Sequence, residues 1–388
     1  MKLAFVVPRY GAEIVGGAET AARNIAERLV LAGWQVEVLT TCATDAMTWE
    51  DTLPPGETTE GGVTVYRWRS KAGRDPGFHP YSGRLLRSPE AATPAEAERW
   101  IDLQGPICPD VVEAAAQSDA DIVAFYPYLY YPTVKGVPRL QARAVLHAAA
   151  HDEAPIRLPV FREVFASAGG LVFHTHTERA LVQRLFRGAE RPQIVLGLGV
   201  DRLPGDRKVD PANGRPYLAC VGRVDGPKGA DLLAKAFLAY KSRRPSSPLA
   251  LVFVGPVVDA PPKHRDIVVT GPVDEPAKWG ILEGATALVS PSALESFSLV
   301  MVEAWSTGIP VVVNGRCEPT REHCRASGGG LWFDDYASFE VILDRLTADE
   351  PLRRALGEAG RAYVEANYTW PVVIQRYQRF VTQVAERA

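Results

Sequence analysis

Pro291-Ser292-Ala293-Leu294-Glu295-Ser296-Phe297-Ser298-Leu299-Val300-Met301-Val302-Glu303-Ala304 is the stretch that decides how this chain folds. The short apolar run at 287–290 before it reads as a buried strand, the segment from Pro291 to Phe297 as a loop, and the residues from Ser298 onward as a helix. Two carboxylates stand eight positions apart across this junction, Glu295 in the loop and Glu303 in the helix. Glu303 sits among Leu299, Val300, Met301, Val302 and Ala304, and a carboxylate buried in such surroundings needs a partner. A ribose diol would serve, because one carboxylate can accept both hydroxyls; an ion pair with an arginine would serve as well. Glu295, near the helix start, is placed to meet hydroxyls of a sugar.

The same strand–loop–helix alternation extends in both directions. Apolar runs at 3–7, 36–40, 122–126, 144–148, 171–174 and 194–196 read as buried strands, with amphipathic helices at 18–32, 109–117, 158–168 and 177–186 between them. A second series of strands follows at 217–221, 249–254, 267–270, 287–290 and 310–313. Continuous apolar strands separated by helices imply parallel sheets covered on both faces, and two series imply two doubly wound α/β domains. The stretch 197–213, rich in Gly, Pro and Asp, separates them, which gives domains 1–203 and 204–369 with a boundary near Leu203. A helix at 351–366 precedes a last amphipathic segment, 370–387, suited to packing back on the first domain. The stretch 71–105 reads as irregular surface.

Three further elements carry polar chemistry. Gly16-Gly17-Ala18-Glu19-Thr20 follows the first strand and opens the first helix, so that a backbone free of side chains and the unpaired N–H groups of a helix start face any anion; a plain structural turn is the alternative. It lacks the Gly-x-Gly-x-x-Gly spacing of a dinucleotide site. Gly222-Arg223-Val224-Asp225-Gly226-Pro227-Lys228-Gly229 puts two cations around a glycine turn at a strand end, which suits a diphosphate leaving group better than two idle surface charges. His151-Asp152-Glu153 follows the strand at 144–148, where a histidine can donate a hydrogen bond to a sugar hydroxyl; His147, His174 and His176 compete for that role.

Composition narrows the function further. With 46% hydrophobic and 23% charged residues the chain has the make-up of a soluble globular protein, and no apolar run approaches the roughly 20 residues of a membrane span. The segment Met1 to Val7 is too short for a signal peptide, so a cytoplasmic location is expected. Five cysteines without a Cys-x-x-Cys pair point away from disulfides and zinc; the lack of an Asp-x-Asp pair points away from a metal cofactor. A net charge of −3 gives no footprint for nucleic acid. Locally, Arg67, Arg69, Lys71, Arg74, Arg84 and Arg87 form a basic stretch, either a solvated surface, a receiver for an anionic acceptor, or a weak contact with the inner membrane surface.

In this order the elements resemble the retaining glycosyltransferase family 4, and the likeness runs from Leu3 to about Tyr377. Its most specific part is Glu295-x(7)-Glu303 continued by Ala304-Trp305-Ser306-Thr307-Gly308-Ile309-Pro310-Val311-Val312; the Gly16-Gly17 loop, the Gly222-Arg223…Lys228-Gly229 turn and Gly199-Val200-Asp201 agree with it. The resemblance implies the GT-B fold, two Rossmann-like domains facing a central cleft, and metal-independent transfer of a sugar from a nucleotide diphosphate sugar to a sugar, lipid-linked or small-molecule hydroxyl. It implies that Arg223 and Lys228, with Gly222, hold the diphosphate, Glu303 the ribose, and Glu295 with the backbone at Phe297, Ser298 and Leu299 the transferred sugar and phosphate. Val273 would line the base, His151 would face the donor sugar, and Gly17 would approach the phosphate. The stretches Gly255-Pro256-Val257 and Asn314-Gly315-Arg316-Cys317-Glu318 depart from the family pattern, so Arg316 or Glu318 would meet the sugar differently. A non-hydrolysing sugar-nucleotide epimerase and a non-catalytic nucleotide-sugar-binding subunit are the alternatives.

Overall fold

A computed structural model describes residues 1–14, 16–186, 191–201 and 209–388, so the boundary expected near Leu203 lies outside the described residues. The chain divides into two compact units, Met1–Leu196 with Ile374–Ala388, and Gly197–Val373.

The first unit is built on a sheet whose central strands are buried throughout, as continuous apolar runs require. Its elements are β1 (Lys2–Val6), α1 (Gly17–Leu31), β2 (Gln35–Thr41), β3 (Gly56–Glu60), β4 (Val63–Trp68), α2 (Phe78–Leu85), α3 (Pro94–Gln104), α4 (Pro109–Gln117), β5 (Ile122–Phe125), α5 (Tyr131–Leu140), β6 (Ala144–His147), α6 (Val160–Ser167), β7 (Gly170–Phe173), α7 (His176–Leu185) and β8 (Gln193–Val195). The strand order is β3-β4-β2-β1-β5-β6-β7-β8, parallel except for the β3–β4 pair. The β3–β4 hairpin adds an edge that sequence periodicity does not announce: β3 is Gly-Glu-Thr-Thr-Glu, polar and exposed, with no core face to mark it.

The stretch 71–105 is not irregular, which corrects the sequence reading: it holds α2 and α3. Helix α3 starts on a capping box, the Thr93 hydroxyl accepting from the Glu96 N–H and the Glu96 carboxylate from the Thr93 N–H, with Pro94 in the first turn.

The second unit contains β9 (Tyr217–Val221), α8 (Ala230–Arg243), β10 (Ala250–Val254), β11 (Ile267–Val269), α9 (Glu275–Glu283), β12 (Ala287–Ser290), α10 (Leu299–Thr307), β13 (Val311–Asn314), α11 (Glu318–Ser327), β14 (Gly330–Phe333), α12 (Tyr336–Ala348) and α13 (Glu350–Asn367). Its sheet is parallel throughout, in the order β11-β10-β9-β12-β13-β14. The last helix, α14 (Trp370–Ala385), begins in this unit, and from Ile374 it belongs to the first. There Tyr377, Phe380, Val381 and Val384 are buried, and β7 meets the helix through Gly170, where an added Cβ would lie 2.8 Å from Val384 and 3.0 Å from Phe380.

Each sheet reverses its strand order once, between β1 and β5 in the first unit and between β9 and β12 in the second. Loops that leave the carboxyl ends of such neighbours part to opposite faces and leave a crevice, the usual ligand site of open α/β sheets.

Candidate active site

At the reversal in the second unit, the loop after β9 and the loop after β12 meet. Gly229 takes a positive φ of 78°, and a Cβ there would lie 2.9 Å from the Pro291 carbonyl oxygen. Lys228 donates across the gap, its Nζ 2.7 Å from Glu295 Oε1, and Asn314 Nδ2 donates to the Pro291 carbonyl at 2.9 Å. On the other side Gly255 presses on the β9 loop: its φ is 133°, and a Cβ would lie 2.2 Å from the Gly222 carbonyl oxygen. A second glycine at position 256 is therefore not what this turn requires; the first one makes the close approach.

Arg223 leaves 59% of its side chain exposed and bonds the buried Asp225 through Nε at 2.9 Å. Asp225 also accepts from the Lys228 N–H at 2.8 Å. One carboxylate thus braces both cation-bearing residues while leaving the Arg223 guanidinium toward solvent. Neither Asp225 nor its role is marked by the sequence beyond its place inside the glycine turn.

Phe297 is a core residue in its side chain. It stands edge-on to His323 (5.0 Å) and to Tyr368 (5.2 Å), and this aromatic wall fixes the backbone that follows. Ser298 has φ 65° and ψ 74°, the left-handed region, which costs a non-glycine residue about 1–2 kcal/mol. Leu299 then opens α10, and no side chain caps that helix start. A strained residue before an uncapped helix start is the local form of an anion-binding turn.

Inside α10 the expected partner for Glu303 is found, but it is a lysine and not an arginine: Lys278 Nζ, from α9, lies 2.9 Å from Glu303 Oε1 and also meets Glu275 at 2.8 Å. Burial pushes the Glu303 carboxyl above its ordinary range, with Lys278 acting against it. Burial acts to lower the Lys278 ammonium, and the Glu303 and Glu275 carboxylates outweigh it and hold that pKa up. Val273, half-buried, precedes the Asp274 cap of α9, whose side chain accepts from the Ala277 N–H at 2.9 Å. Glu318 is committed to Arg321 and Arg325, and Arg316 is exposed.

In the first unit, a Cβ on Gly16 would lie 2.2 Å from Glu19 Oε2, the end of a side chain ion-paired with the buried Arg9, so a larger residue there must displace that carboxylate. Gly17 has open space around its Cβ position. Two competing histidines are structural. His147 is buried with Nε2 2.8 Å from the Tyr377 hydroxyl, and burial, with His174 nearby, pushes its imidazole down to about 3. His174 pairs through Nε2 with the Tyr126 hydroxyl at 2.6 Å, and the exposed His176 meets Arg179 at 3.1 Å. His151 stays half-buried with Nδ1 3.8 Å from Glu153 Oε1. The residue before it, Ala150, donates its N–H at 2.8 Å to Glu178, a buried carboxylate that also takes the His174 N–H at 2.6 Å. Burial raises Glu178 to about 7.

Arg67 does not belong to a basic surface, which corrects that part of the sequence reading. Arg67 is buried, donating to Thr58 Oγ1 (2.7 Å), the Tyr10 carbonyl (2.8 Å) and Glu60 (2.5 Å). Arg69, Lys71, Arg84 and Arg87 are exposed, and Arg74 is half-buried. All five cysteines are free thiols. Among the described residues no group of three or more His, Cys, Asp or Glu is arranged to hold a metal ion, and no helix is long and apolar enough to cross a membrane.

Comparison with known proteins agrees with this architecture. Residues 204–363 match the family described as Glycosyl transferases group 1. A D-inositol 3-phosphate glycosyltransferase of Nocardia farcinica is 27% identical over 338 residues, 74% of this chain and 73% of that protein. One from Catenulispora acidiphila is 26% identical and covers 93% of this chain and 90% of its own. Among solved structures, sucrose-phosphate synthase of Thermosynechococcus elongatus superposes over all of both chains with a TM-score of 0.71 at 17% identity. Anabaena HepE in complex with UDP and glucose superposes over 99% of this chain and 100% of its own, with a TM-score of 0.67 at 14% identity. With its second unit matching group 1 and both units wound as these structures are, the chain is a glycosyltransferase of the GT-B architecture.

Proposed function

We propose that this glycosyltransferase moves a sugar from a nucleoside diphosphate donor to a hydroxyl acceptor with retention of anomeric configuration and without a metal ion. The observation that carries the reading is the meeting of two loops at the β9–β12 reversal: Lys228 Nζ lies 2.7 Å from Glu295, in the loop that leads to the uncapped start of α10, and Arg223 is braced in the Lys228 turn by Asp225. A leaving diphosphate gains negative charge as the glycosidic bond breaks, and fixed cations with a helix start stabilise that charge without a divalent ion. Glu303 would accept the ribose hydroxyls, and Val273 would line the base. In this reading Glu295 and the backbone at Phe297, Ser298 and Leu299 hold the transferred sugar and its phosphate. The leaving phosphate itself takes the acceptor proton in this reading, and the carboxylates Glu295, Glu303 and Asp225 are each engaged by a cation, Lys228, Lys278 and Arg223 respectively. The acceptor belongs to the first unit, and a cytoplasmic place of action fits a nucleotide sugar.

The test is a donor screen. The pure protein is incubated with UDP-, GDP-, ADP-, dTDP- and CDP-sugars in EDTA, and thermal stabilisation and nucleotide release are followed. Stabilisation by one nucleotide sugar with slow release of its nucleotide supports the proposal. No stabilisation and no cleavage by any donor, with or without added metal, rejects it, and turnover of the donor sugar to its epimer would favour an epimerase.

A further inference from the structure

The pattern Thr-x-x-Glu opens two helices of the first unit, and the fold uses it in two ways. At α3 the Thr93 hydroxyl and the Glu96 carboxylate cap each other's N–H groups at the surface; Glu96 is exposed, and the Thr93 N–H holds its carboxyl below the ordinary range. At α7 the Thr175 hydroxyl accepts from the Glu178 N–H at 3.1 Å, but Glu178 is only 2% exposed. Its Oε2 takes the His174 N–H at 2.6 Å, next to the cap. Its Oε1 leaves the helix and takes the Ala150 N–H at 2.8 Å, 28 residues away in the loop after β6.

Capping explains the first oxygen and not the second. A helix start does not require its glutamate to be buried, as Glu96 shows. Burial is expensive: it raises the Glu178 carboxyl to about 7, against the pull of the His174 and Ala150 N–H groups and of the nearby His151.

What the second oxygen holds is the turn that carries His151. Ala149 has φ 49°, in the left-handed region that a residue with a Cβ enters at a cost and keeps only where its surroundings fix it. Ala150 comes next, tied to Glu178, and His151 follows it. The Glu153 N–H closes the turn on the His151 carbonyl at 2.9 Å, and the buried Tyr128 donates its hydroxyl to the Glu153 carboxylate at 3.0 Å. Glu178 therefore joins the loops after β6 and β7, with the strained Ala149 on one side of its bond and His151 on the other.

We infer that Glu178 is a positioning residue: by accepting from both loops at once it sets the backbone of the 149–153 turn, and with it the place of His151 in the transfer reaction. A carboxylate suits this task because both its oxygens accept, whereas an amide offers one acceptor and turns a donor toward the second N–H. This rests on the transferase reading and on the role that the family resemblance implies for His151; Glu178 acts only through that residue.

The test is a double-mutant cycle on turnover of the nucleotide sugar selected by the donor screen, with hydrogen exchange of the 149–153 segment and thermal stabilisation by the free nucleotide measured beside it. Glu178→Gln, of nearly the same shape, raises exchange in that segment and lowers kcat about 10- to 100-fold, while affinity for the free nucleotide is unchanged. His151→Ala alone lowers turnover, and adding Glu178→Gln to it changes turnover no further, because the two act as one unit. Thr175→Ala removes the cap of the same helix and leaves both carboxylate bonds in place, so it lowers the melting temperature and keeps kcat. Should Glu178→Gln not fold, Glu178→Asp, which keeps the charge but is too short to serve both loops, replaces it with the same expectation. Full turnover in the Glu178 variant, or an equal loss from it in the His151→Ala background, would overturn this inference and leave the transferase reading standing. Wild-type turnover in His151→Ala would overturn it together with the role of His151, and a screen in which no donor is cleaved would overturn it together with the transferase reading.

Discussion

The Nζ of Lys278 lies 2.9 Å from Oε1 of Glu303, joining α9 to α10 where both side chains are largely shielded from water. The contact explains how a carboxylate survives in so apolar a helix: the lysine offsets its desolvation.

Removing one partner should therefore cost more than removing both. Lys278→Ala is expected to destabilise the second unit by about 3 kcal/mol, and Lys278→Met with Glu303→Leu by much less, since an apolar pair leaves no orphaned charge. Urea unfolding of the three proteins checks this; equal stability of Lys278→Ala and wild type would show the pair to be idle.

Arg223 is expected to behave in the opposite way. With more than half of its side chain in solvent, Arg223→Ala should leave the melting temperature nearly unchanged. It should slow donor turnover about 10- to 150-fold, the worth of one charge-assisted hydrogen bond. Steady-state kinetics beside a thermal melt separate the two effects.

The paired glycines give a sharper contrast. Gly16→Ala drives a methyl into the Glu19 carboxylate and should break the Arg9–Glu19 pair, with a loss of about 1–3 kcal/mol. Gly17→Ala meets nothing and should be neutral or stabilise α1 by up to about 1 kcal/mol. If Gly17→Ala nonetheless loses turnover while melting normally, the missing Cβ is needed by a ligand and not by the fold.

His147 should set part of the acid sensitivity of the first unit. Its native pKa of about 3 lies below the ordinary 6.5, so the unfolded chain binds the proton first and stability falls as pH drops from 6.5 toward 3. The slope is about 1.4 kcal/mol per pH unit from this group alone. Glu178 runs the other way: raised to about 7 from 4.5, it contributes a loss as pH rises through that window. His147→Gln should flatten the acid limb of a stability-against-pH curve; an unchanged limb would contradict the assignment.

Much of the fold is legible along the chain because parallel strands buried on both faces must be continuous apolar runs, and helices between them must be amphipathic. Leu3–Val6, Tyr217–Val221 and Ala287–Ser290 declare themselves in this way, as do the motif residues that cluster after them. The β3 strand does not, since an exposed polar edge carries no hydrophobic period, and α2 and α3 hide in a stretch broken by Gly and Pro.

Sequence alone determined which residues carry charge at the strand ends: Arg223, Lys228, Glu295 and Glu303 are fixed by local spacing around glycine turns and one helix start. Only the tertiary structure decided their partners. Asp225 under Arg223, Lys278 against Glu303, and Glu178 beneath the His151 loop are pairings set by the fold, the last two between segments tens of residues apart. Burial and the order of strands in the sheet, which no local pattern encodes, set which charges are neutralised and which stay exposed.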